Sequence, residues 1–344
     1  MRPYLMISNR NREDDRLGSR LATIGFYTAP ADADPGKLHT LSAWTKVTRQ
    51  AFVAQLKAIG IECPIVPEAE QEEQKLLCLF VHGYNDDWED TVNDYLLIKN
   101  GLMEGAGDMG QLVLYSWPSK GNVAGYLPDR ESAHDSAPDL AALLVELSDY
   151  LTLRQRVAAR SDDPSKFCRM KVSVLAHSMG NYVMQEALVA ASKQLNDPQL
   201  VSLINQFVMV AADVDNDLFE RSQPADSDGV LMANLCYRIA ALYTGLDQVL
   251  GMSAGLKHFG TRRLGRSGLA DPGNVWDNVF EFDVTDYIDT HDSAHSAVFE
   301  SSPAIAVVRN ILRGVDRRFV ANGVAPYMQP PQPQPIPMPA AAPA

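Results

Sequence analysis

The hydrophobic positions of this chain fall into short apolar runs that are separated by longer amphipathic segments. The runs predict six central strands, at residues 76–81, 112–117, 172–176, 207–211, 235–242 and 279–284. The segments between them have apolar residues at helical spacing and predict helices, at residues 88–102, 137–153, 182–194 and 303–313. Strands that alternate with helices are typical of a mainly parallel sheet with helices on both faces. The pattern therefore predicts an α/β fold.

The two ends of the chain depart from this alternation. Residues 1–70 contain shorter strand candidates at 4–8, 22–27 and 62–66 and a helix candidate at 43–59. We interpret them as an N-terminal extension that adds edge strands to the same sheet. The main domain then covers residues 71–323. From residue 324 onward the chain is rich in Pro, Gln and Ala and has no charged residue, a composition that cannot bury a core and predicts a disordered tail.

Composition and charge narrow the classes of partner. With 46% hydrophobic residues in 344, the chain can bury one large core. The 30 basic and 43 acidic residues give a net charge of -13, which repels nucleic-acid phosphates and anionic lipid headgroups. No signal-type or membrane-spanning apolar stretch is present, so we expect no transmembrane segment and a cytoplasmic protein. The cysteines Cys63, Cys78, Cys168 and Cys236 are far apart, and we expect free thiols.

One strand ends in a motif that is typical of catalytic serines. The run at 172–176 leads into Ala176-His177-Ser178-Met179-Gly180, which is followed by a helical segment. Small residues two positions before and after a serine allow a tight strand-to-helix turn that exposes the hydroxyl group above the sheet. A serine before a helix can also be an ordinary cap. The strand before the turn and the helix after it favour Ser178 as a nucleophile.

A second strand supplies the matching anion site. The run at 76–81 ends in His82-Gly83-Tyr84-Asn85. Attack on a carbonyl group places negative charge on its oxygen, and one fixed donor stabilises that charge by about 2.7 to 4 kcal/mol. We expect the backbone N–H groups of Tyr84 and Met179 to be these donors, and we expect His82 to hold the loop.

A serine needs an imidazole as its base, and that imidazole is oriented by a carboxylate. In an α/β hydrolase both partners follow the nucleophile along the chain. If the nucleophile strand is counted as the fifth, Asp247 follows the seventh strand and Asp213 follows the sixth. Two histidines, His291 and His295, follow the eighth strand. The order of a Ser-acid-His triad is therefore satisfied, with two candidates for each partner.

At this point the chain resembles an uncharacterised bacterial α/β-hydrolase family, known as domain of unknown function number nine hundred. The resemblance covers about residues 76–313. It rests on Val-His-Gly-Tyr-Asn at 81–85, Tyr-Ser-Trp-Pro-Ser-Lys-Gly at 115–121, Gly-Tyr at 125–126, Asp-Arg-Glu-Ser-Ala at 129–133, Ala-His-Ser-Met-Gly-Asn at 176–181 and Ala-Asp-Val-Asp at 212–215. The resemblance implies an acid after the seventh strand and a His-Ser pair after the eighth, which here are Asp247 and His295-Ser296.

Together these features predict a serine hydrolase with the α/β-hydrolase fold. We expect it to cleave a small carboxylic ester, apolar or lipid-like, through an acyl-enzyme on Ser178, with His295 as the base and Asp247 as the acid. No metal and no organic cofactor are expected. The alternatives are an acyltransferase with the same triad and a catalytically silent binding protein of the same fold.

Two further features have open interpretations. The segment at 245–278 is long for a connection between two strands, which favours a lid over the site. Trp88, Trp117 and Tyr126 either line an acyl pocket or pack in the core.

Overall fold

The computed structural model describes residues 2–63, 68–105, 107–121, 125–161, 163, 170–195, 202–257, 260–289 and 293–327. The described residues form a single sheet of nine strands. The strands are β1 (Tyr4–Glu13), β2 (Arg16–Ala29), β3 (Thr45–Val47), β4 (Leu76–Val81), β5 (Gly110–Ser116), β6 (Lys171–His177), β7 (Ile204–Val210), β8 (Cys236–Tyr243) and β9 (Val279–Asp283). The six central strands begin and end within four residues of the apolar runs that predict them.

Helices cover both faces of this sheet. They are α1 (Arg49–Glu62), α2 (Trp88–Ile98), α3 (Tyr126–Ala158), α4 (Gly180–Leu195), α5 (Asp228–Leu235), α6 (Gln248–Lys257), α7 (Leu264–Ser267), α8 (Ala297–Glu300) and α9 (Ser302–Arg313). Apolar side chains of α1, α3, α4 and α5 pack on one face, and those of α2, α8 and α9 pack on the other. No helix in the described part of the chain is long and apolar enough to cross a membrane.

The order of strands across the sheet is β3-β2-β1-β5-β4-β6-β7-β8-β9. All neighbours from β1 to β9 pair in parallel, whereas β2 pairs antiparallel with both β1 and β3. This mainly parallel sheet with helices on both faces is the α/β-hydrolase architecture that the sequence predicts. Because β3 is an additional edge strand, the nucleophile strand that was counted as the fifth is β6.

The N-terminal region departs in detail from its predicted elements. The helix predicted at 43–59 begins only at Arg49, because residues Thr45–Val47 pair with β2 and the Thr48 hydroxyl caps the helix by accepting the Ala51 N–H at 3.2 Å. The strand predicted at 62–66 is wrong at its start, since Glu62 is the last residue of α1. Residues 64–66 lie outside the described residues.

The core lies on both faces of the sheet. Alternate residues of β4 show this: Leu76, Cys78 and Phe80 join one cluster of buried side chains, and Val81 joins the other. Cys63, Cys78 and Cys236 are buried free thiols, as predicted, while Cys168 lies outside the described residues. Burial raises the pKa of Cys78 to about 12, so its reactive thiolate form is suppressed.

The sheet order also determines where a site can form. The chain runs from β4 to β5 on one side of β4 and then returns to β6 on its other side. In open α/β sheets, ligands bind at the carboxyl ends of the strands where the order reverses. The carboxyl ends of β4 and β6 meet at this point, and these two ends carry His82 and Ser178.

Candidate active site

Ser178 occupies a sharp turn between β6 and α4. Its backbone has φ 49°, in the left-handed region that residues with a side chain rarely adopt. Its N–H donates to Val210 O at 3.0 Å, and its carbonyl accepts the Asn181 N–H at 3.1 Å. A strained serine between a buried strand and a helix is the geometry of a nucleophile elbow.

Close backbone packing explains the small residue that follows the turn. A Cβ atom on Gly180 would lie 2.4 Å from His82 O and 2.5 Å from Val81 O. Only glycine therefore lets α4 begin so close to the end of β4.

Asn181 holds the same turn, a role that the sequence did not indicate. Its side-chain amide Nδ2 donates to Ala176 O and Ser178 O, each at 3.1 Å, and to Val210 O at 3.2 Å. These contacts join the elbow to β7, and no motif at the sequence level predicts them. A polar residue directly after Ser-Met-Gly is the only signal that could have pointed to it.

His295 and Asp247 form a buried pair. His295 Nδ1 lies 2.7 Å from Asp247 Oδ2, and Asp247 Oδ1 also accepts the Leu250 N–H at 2.9 Å. Asp247 is fully buried and His295 is 8% exposed. A carboxylate on Nδ1 directs the other ring nitrogen, Nε2, to act as a proton acceptor. The structure thus brings together the two residues that the sequence selected as base and acid.

The segment with His295 is tied to the nucleophile turn. His177, which precedes Ser178, has its Nε2 3.0 Å from His295 O, and the two rings are 4.9 Å apart between centroids. Within the described residues, no hydrogen bond joins the Ser178 hydroxyl to His295. In free enzymes such catalytic hydrogen bonds are often long and tighten when substrate binds.

Asp213, the other candidate acid, is engaged elsewhere. Its carboxylate accepts Arg263 Nε–H at 2.8 Å, the Tyr126 hydroxyl at 2.7 Å and the Ser253 hydroxyl at 3.2 Å. Its backbone N–H donates to Ser178 O at 3.2 Å. Asp213 therefore supports the elbow from the side of β7. His291, the other candidate base, lies outside the described residues.

The loop after β4 packs against the nucleophile. A Cβ atom on Gly83 would lie 3.2 Å from Ser178 Cβ, so the peptide groups that follow Gly83 are close to the serine. Gly83 N–H donates to Asp86 Oδ2 at 2.8 Å, which closes the turn. Among the described residues, the Met179 N–H has no acceptor. Gly83 and Met179 therefore adjoin Ser178 from two sides, and the roles of Tyr84 and Met179 as anion donors stay a prediction.

His82 and Arg10 support this loop from below. The His82 ring is fully buried, lies parallel to the Trp117 ring at 5.2 Å, and accepts the Trp117 N–H on Nε2 at 3.1 Å. Arg10 donates to Ser116 Oγ at 2.9 Å, Ser119 O at 3.0 Å and Asp86 O at 2.9 Å. Burial lowers the pKa of Arg10 to about 10, which still leaves it charged at neutral pH. Sequence reasoning missed Arg10, because its partners come from distant parts of the chain.

The aromatic residues that had two interpretations lie in the core. Trp117, Trp88 and Tyr126 are 0%, 5% and 3% exposed. Trp88 Nε1–H donates to His39 O at 2.7 Å, and Trp117 Nε1–H donates to His82 O at 2.9 Å. All three are therefore core residues and do not form an open acyl pocket.

The segment predicted as a lid is in large part packed into the body of the protein. It contains α6 and α7, and its Arg263 side chain is fully buried in ion pairs with Asp213 and Asp215. A Cβ atom on Gly265 would lie 2.1 Å from the backbone at Ala211, so α7 rests directly on the end of β7. This part of the segment is therefore fixed to the sheet.

One cluster near the elbow has the residue types of a metal site. Asp86, Asp94 and His177 each offer one ligand atom, and these atoms lie within 4.8 Å of one another. Burial, together with repulsion from Asp86 and other acids, raises the pKa of Asp94 to about 8. Burial first, and then the neighbouring His295, lower the pKa of His177 to about 4, so its imidazole is neutral at pH 7.

Comparison with known proteins identifies the family. No curated protein matches the chain. Among solved structures, an acylaminoacyl peptidase from Pyrococcus horikoshii is similar over 92% of this chain and 50% of its own, with 12% sequence identity and a TM-score of 0.30. This chain therefore spans about half the length of that peptidase. Residues 65–314 match the family described as alpha/beta hydrolase of unknown function (DUF900). Since that match covers well over half of the sequence, the chain belongs to this α/β-hydrolase family.

Proposed function

We propose that the protein is a serine esterase that cleaves carboxylic esters through an acyl-enzyme on Ser178. The observation that carries the proposal is the buried His295–Asp247 pair at 2.7 Å, held beside the strained Ser178 turn through His177. An imidazole with a carboxylate on one nitrogen, close to a serine in a tight strand-to-helix turn, is the arrangement that activates a hydroxyl group.

Each residue has one task in this chemistry. Ser178 Oγ attacks the acyl carbon while His295 Nε2 takes the proton, and the N–H groups of Tyr84 and Met179 stabilise the oxyanion. His295 then returns the proton to the departing alkoxide, which leaves as an alcohol. A water molecule, activated by the same imidazole, hydrolyses the acyl-enzyme and releases the acid.

Exposed apolar residues occur in the segments that carry Asp247 and the partners of Asp213, and they support an apolar acyl group. Leu127, Leu246 and Met252 are 68%, 49% and 57% exposed. Leu246 directly precedes Asp247, whereas Leu127 and Met252 adjoin Tyr126 and Ser253, whose hydroxyl groups bond the Asp213 carboxylate. Exposed apolar side chains near a site are typical of surfaces that receive apolar ligands. We therefore expect uncharged aliphatic esters as substrates.

The decisive experiment is labelling with a fluorophosphonate, followed by peptide mass spectrometry. We expect one adduct per chain, on Ser178, and no adduct on the Ser178→Ala variant. Ser132→Ala is the matched control, because Ser132 is a partly exposed helical serine whose hydroxyl only bonds its own helix at Pro128 O among the described residues. A folded protein that remains unlabelled at Ser178 would contradict the serine mechanism.

A series of p-nitrophenyl esters of increasing chain length tests the bond and the acyl group. We expect turnover that depends on Ser178 and a preference for aliphatic over charged acyl groups. Labelling of Ser178 without turnover of any ester in the series would rule out ester hydrolysis.

A further inference from the structure

Three potential ligand residues converge behind the nucleophile turn from separate elements. Asp86 lies in the loop after β4, Asp94 lies on α2, and His177 is the last residue of β6. One ligand atom from each lies within 4.8 Å of the others. From this cluster we propose that Asp86, Asp94 and His177 bind one divalent transition-metal ion beside the nucleophile elbow.

The strongest support is the state of His177. Its side chain is buried, at 4% exposure, and its Nδ1 atom has no hydrogen-bond partner within the described residues. Its other nitrogen, Nε2, lies 3.0 Å from His295 O. Since a carbonyl oxygen only accepts, Nε2 carries the proton and the lone pair is on Nδ1.

This is the tautomer and the setting of a metal ligand. Histidines that bind metals usually donate their other ring N–H to a backbone carbonyl or a carboxylate, which fixes the ring. A buried nitrogen without a partner costs about 1–3 kcal/mol in general. A cation between Nδ1 and the two carboxylates would satisfy it.

Charge points to a cation in the same place. Burial first and then the neighbouring Asp86, Asp90 and Glu300 disfavour the ionised form of Asp94 and raise its pKa. A bound cation would favour that ionised form. A divalent ion would balance the two carboxylates that contact it. The Asp86 carboxylate is already oriented by the Gly83 N–H.

Asp94 allows the site to close around an ion. Within the described part of the chain its carboxylate accepts no hydrogen bond, and its side chain is partly exposed. Ligand atoms around one ion at bonds of about 2.1 Å lie about 3 to 4 Å apart. From separations within 4.8 Å, a movement of roughly one ångström closes the site, and the partly exposed side of Asp94 gives the ion access.

The ligand set selects the class of ion. Imidazole nitrogen favours zinc, iron, copper and nickel, and carboxylates favour manganese, magnesium and calcium. A mixed set of one nitrogen and two carboxylates therefore favours Mn²⁺ or Zn²⁺ over Mg²⁺ and Ca²⁺, which prefer oxygen ligands alone.

The ion would help to position the segment of His295 and would take no part in the chemical reaction. It would bind His177, whose N–H holds the backbone of His295, so occupancy would stiffen the contact between the elbow and the segment of the base. It would not touch the Ser178 hydroxyl. The inference is independent of the esterase proposal, because binding can be measured without turnover.

The test is a titration of the EDTA-treated full chain with Mn²⁺, followed by electron paramagnetic resonance of the free ion, and with Zn²⁺, followed by thermal unfolding. We expect one saturable Mn²⁺ site per chain and a melting temperature that rises with Zn²⁺ concentration. Asp94→Asn should raise the dissociation constant for Mn²⁺, and the Zn²⁺ concentration needed for the same rise in melting temperature, at least about tenfold, since it removes a direct ligand.

Glu89→Gln is the matched control, because it removes one negative charge from an exposed position of the same helix. Its Mn²⁺ affinity should equal that of the unsubstituted protein. Equal weakening by Glu89→Gln and Asp94→Asn would mean that only general charge is measured, and would overturn the site. So would a protein without saturable binding of either ion, or an Asp94→Asn variant that is stabilised while the ions have no effect.

Discussion

At the scale of single residues, Ser178 combines the nucleophilic role that we propose for it with backbone strain. A side chain in the left-handed region costs about 1–2 kcal/mol, and only glycine avoids that cost. Ser178→Gly should therefore melt at a higher temperature than Ser178→Ala, by a free energy of about 1 kcal/mol, although both variants lack esterase activity. Calorimetry of the two purified variants measures the difference. A Gly variant that melts below the Ala variant would show that the turn is not strained.

The two candidate acids can be separated by their different partners. Asp247→Asn leaves a hydrogen-bond partner for His295 but favours the wrong tautomer of its ring. In a serine protease, the same replacement of the orienting Asp lowers kcat about ten-thousand-fold. We expect a comparable loss here with an almost unchanged melting temperature. Asp213→Asn instead breaks a buried ion pair with Arg263 and should cost about 3–5 kcal/mol of stability.

Turnover per folded molecule and thermal unfolding should be measured for both variants. If Asp213→Asn loses the larger share of kcat while Asp247→Asn remains active, Asp247 is not the acid.

The sequence could nominate candidate residues near the motif, whose roles stay a prediction, but it could not predict the contacts that hold them. Ser178, Asp247 and His295 follow from a motif and from chain order. Asn181, Arg10 and His177 depend on partners that are between 29 and 118 positions away for their longest contacts. A single sequence contains no signal of such pairings, because they exist only after the sheet has formed.

At the scale of elements, the central strands follow directly from their apolar runs, since both of their faces are buried. The β1–β2 hairpin is harder to predict, because the second half of β1 carries Asn, Arg and Glu residues and the hairpin is partly exposed. These polar positions are nevertheless informative, since one of them, Arg10, reaches the loop of Tyr84.

Because Arg10 joins the N-terminal hairpin to the loop of Tyr84, we predict that it is a positioning residue for the proposed anion site. Arg10→Met keeps the length of the side chain but removes its hydrogen bonds to Asp86 O and Ser119 O. Because the loop donor acts mainly in the transition state, kcat should fall about tenfold or more while KM changes little. Kinetics on one ester at saturating and low concentrations separate the two parameters.

Arg12→Met is the control for this experiment, because Arg12 is an exposed residue of the same strand that donates only to Asp14 O. It should leave both kcat and KM unchanged. Equal kcat values for the two variants would show that Arg10 stabilises the fold without positioning the loop.

At the scale of the whole molecule, the sheet order places residues from both ends of the chain around one site. The N-terminal strands reach the loop of Tyr84 through Arg10. At the other end of the chain, His295 lies just before α8 and α9, which pack on the same face of the sheet as α2. The extension and the main domain therefore share one sheet, whereas the cytoplasmic location stays a prediction. The disordered tail also stays a prediction, since residues 328–344 lie outside the described residues.

The first residues of the predicted tail have contacts that a truncation can test. The Tyr327 N–H donates to Asp286 O at 2.8 Å, and its hydroxyl donates to Asp289 Oδ2 at 2.9 Å. Asp286 and Asp289 belong to the connection that leads from β9 towards His295. Two hydrogen bonds of this kind contribute about 1 kcal/mol each.

A chain that ends at residue 327 should keep its melting temperature, because Pro, Gln and Ala without charge have no core to join. A chain that ends at residue 323 should lose about 2 kcal/mol and some turnover, since the connection to His295 is then less well held. Thermal unfolding and ester turnover of the two truncated proteins measure both effects, and identical stability would mean that the Tyr327 contacts contribute nothing to the fold.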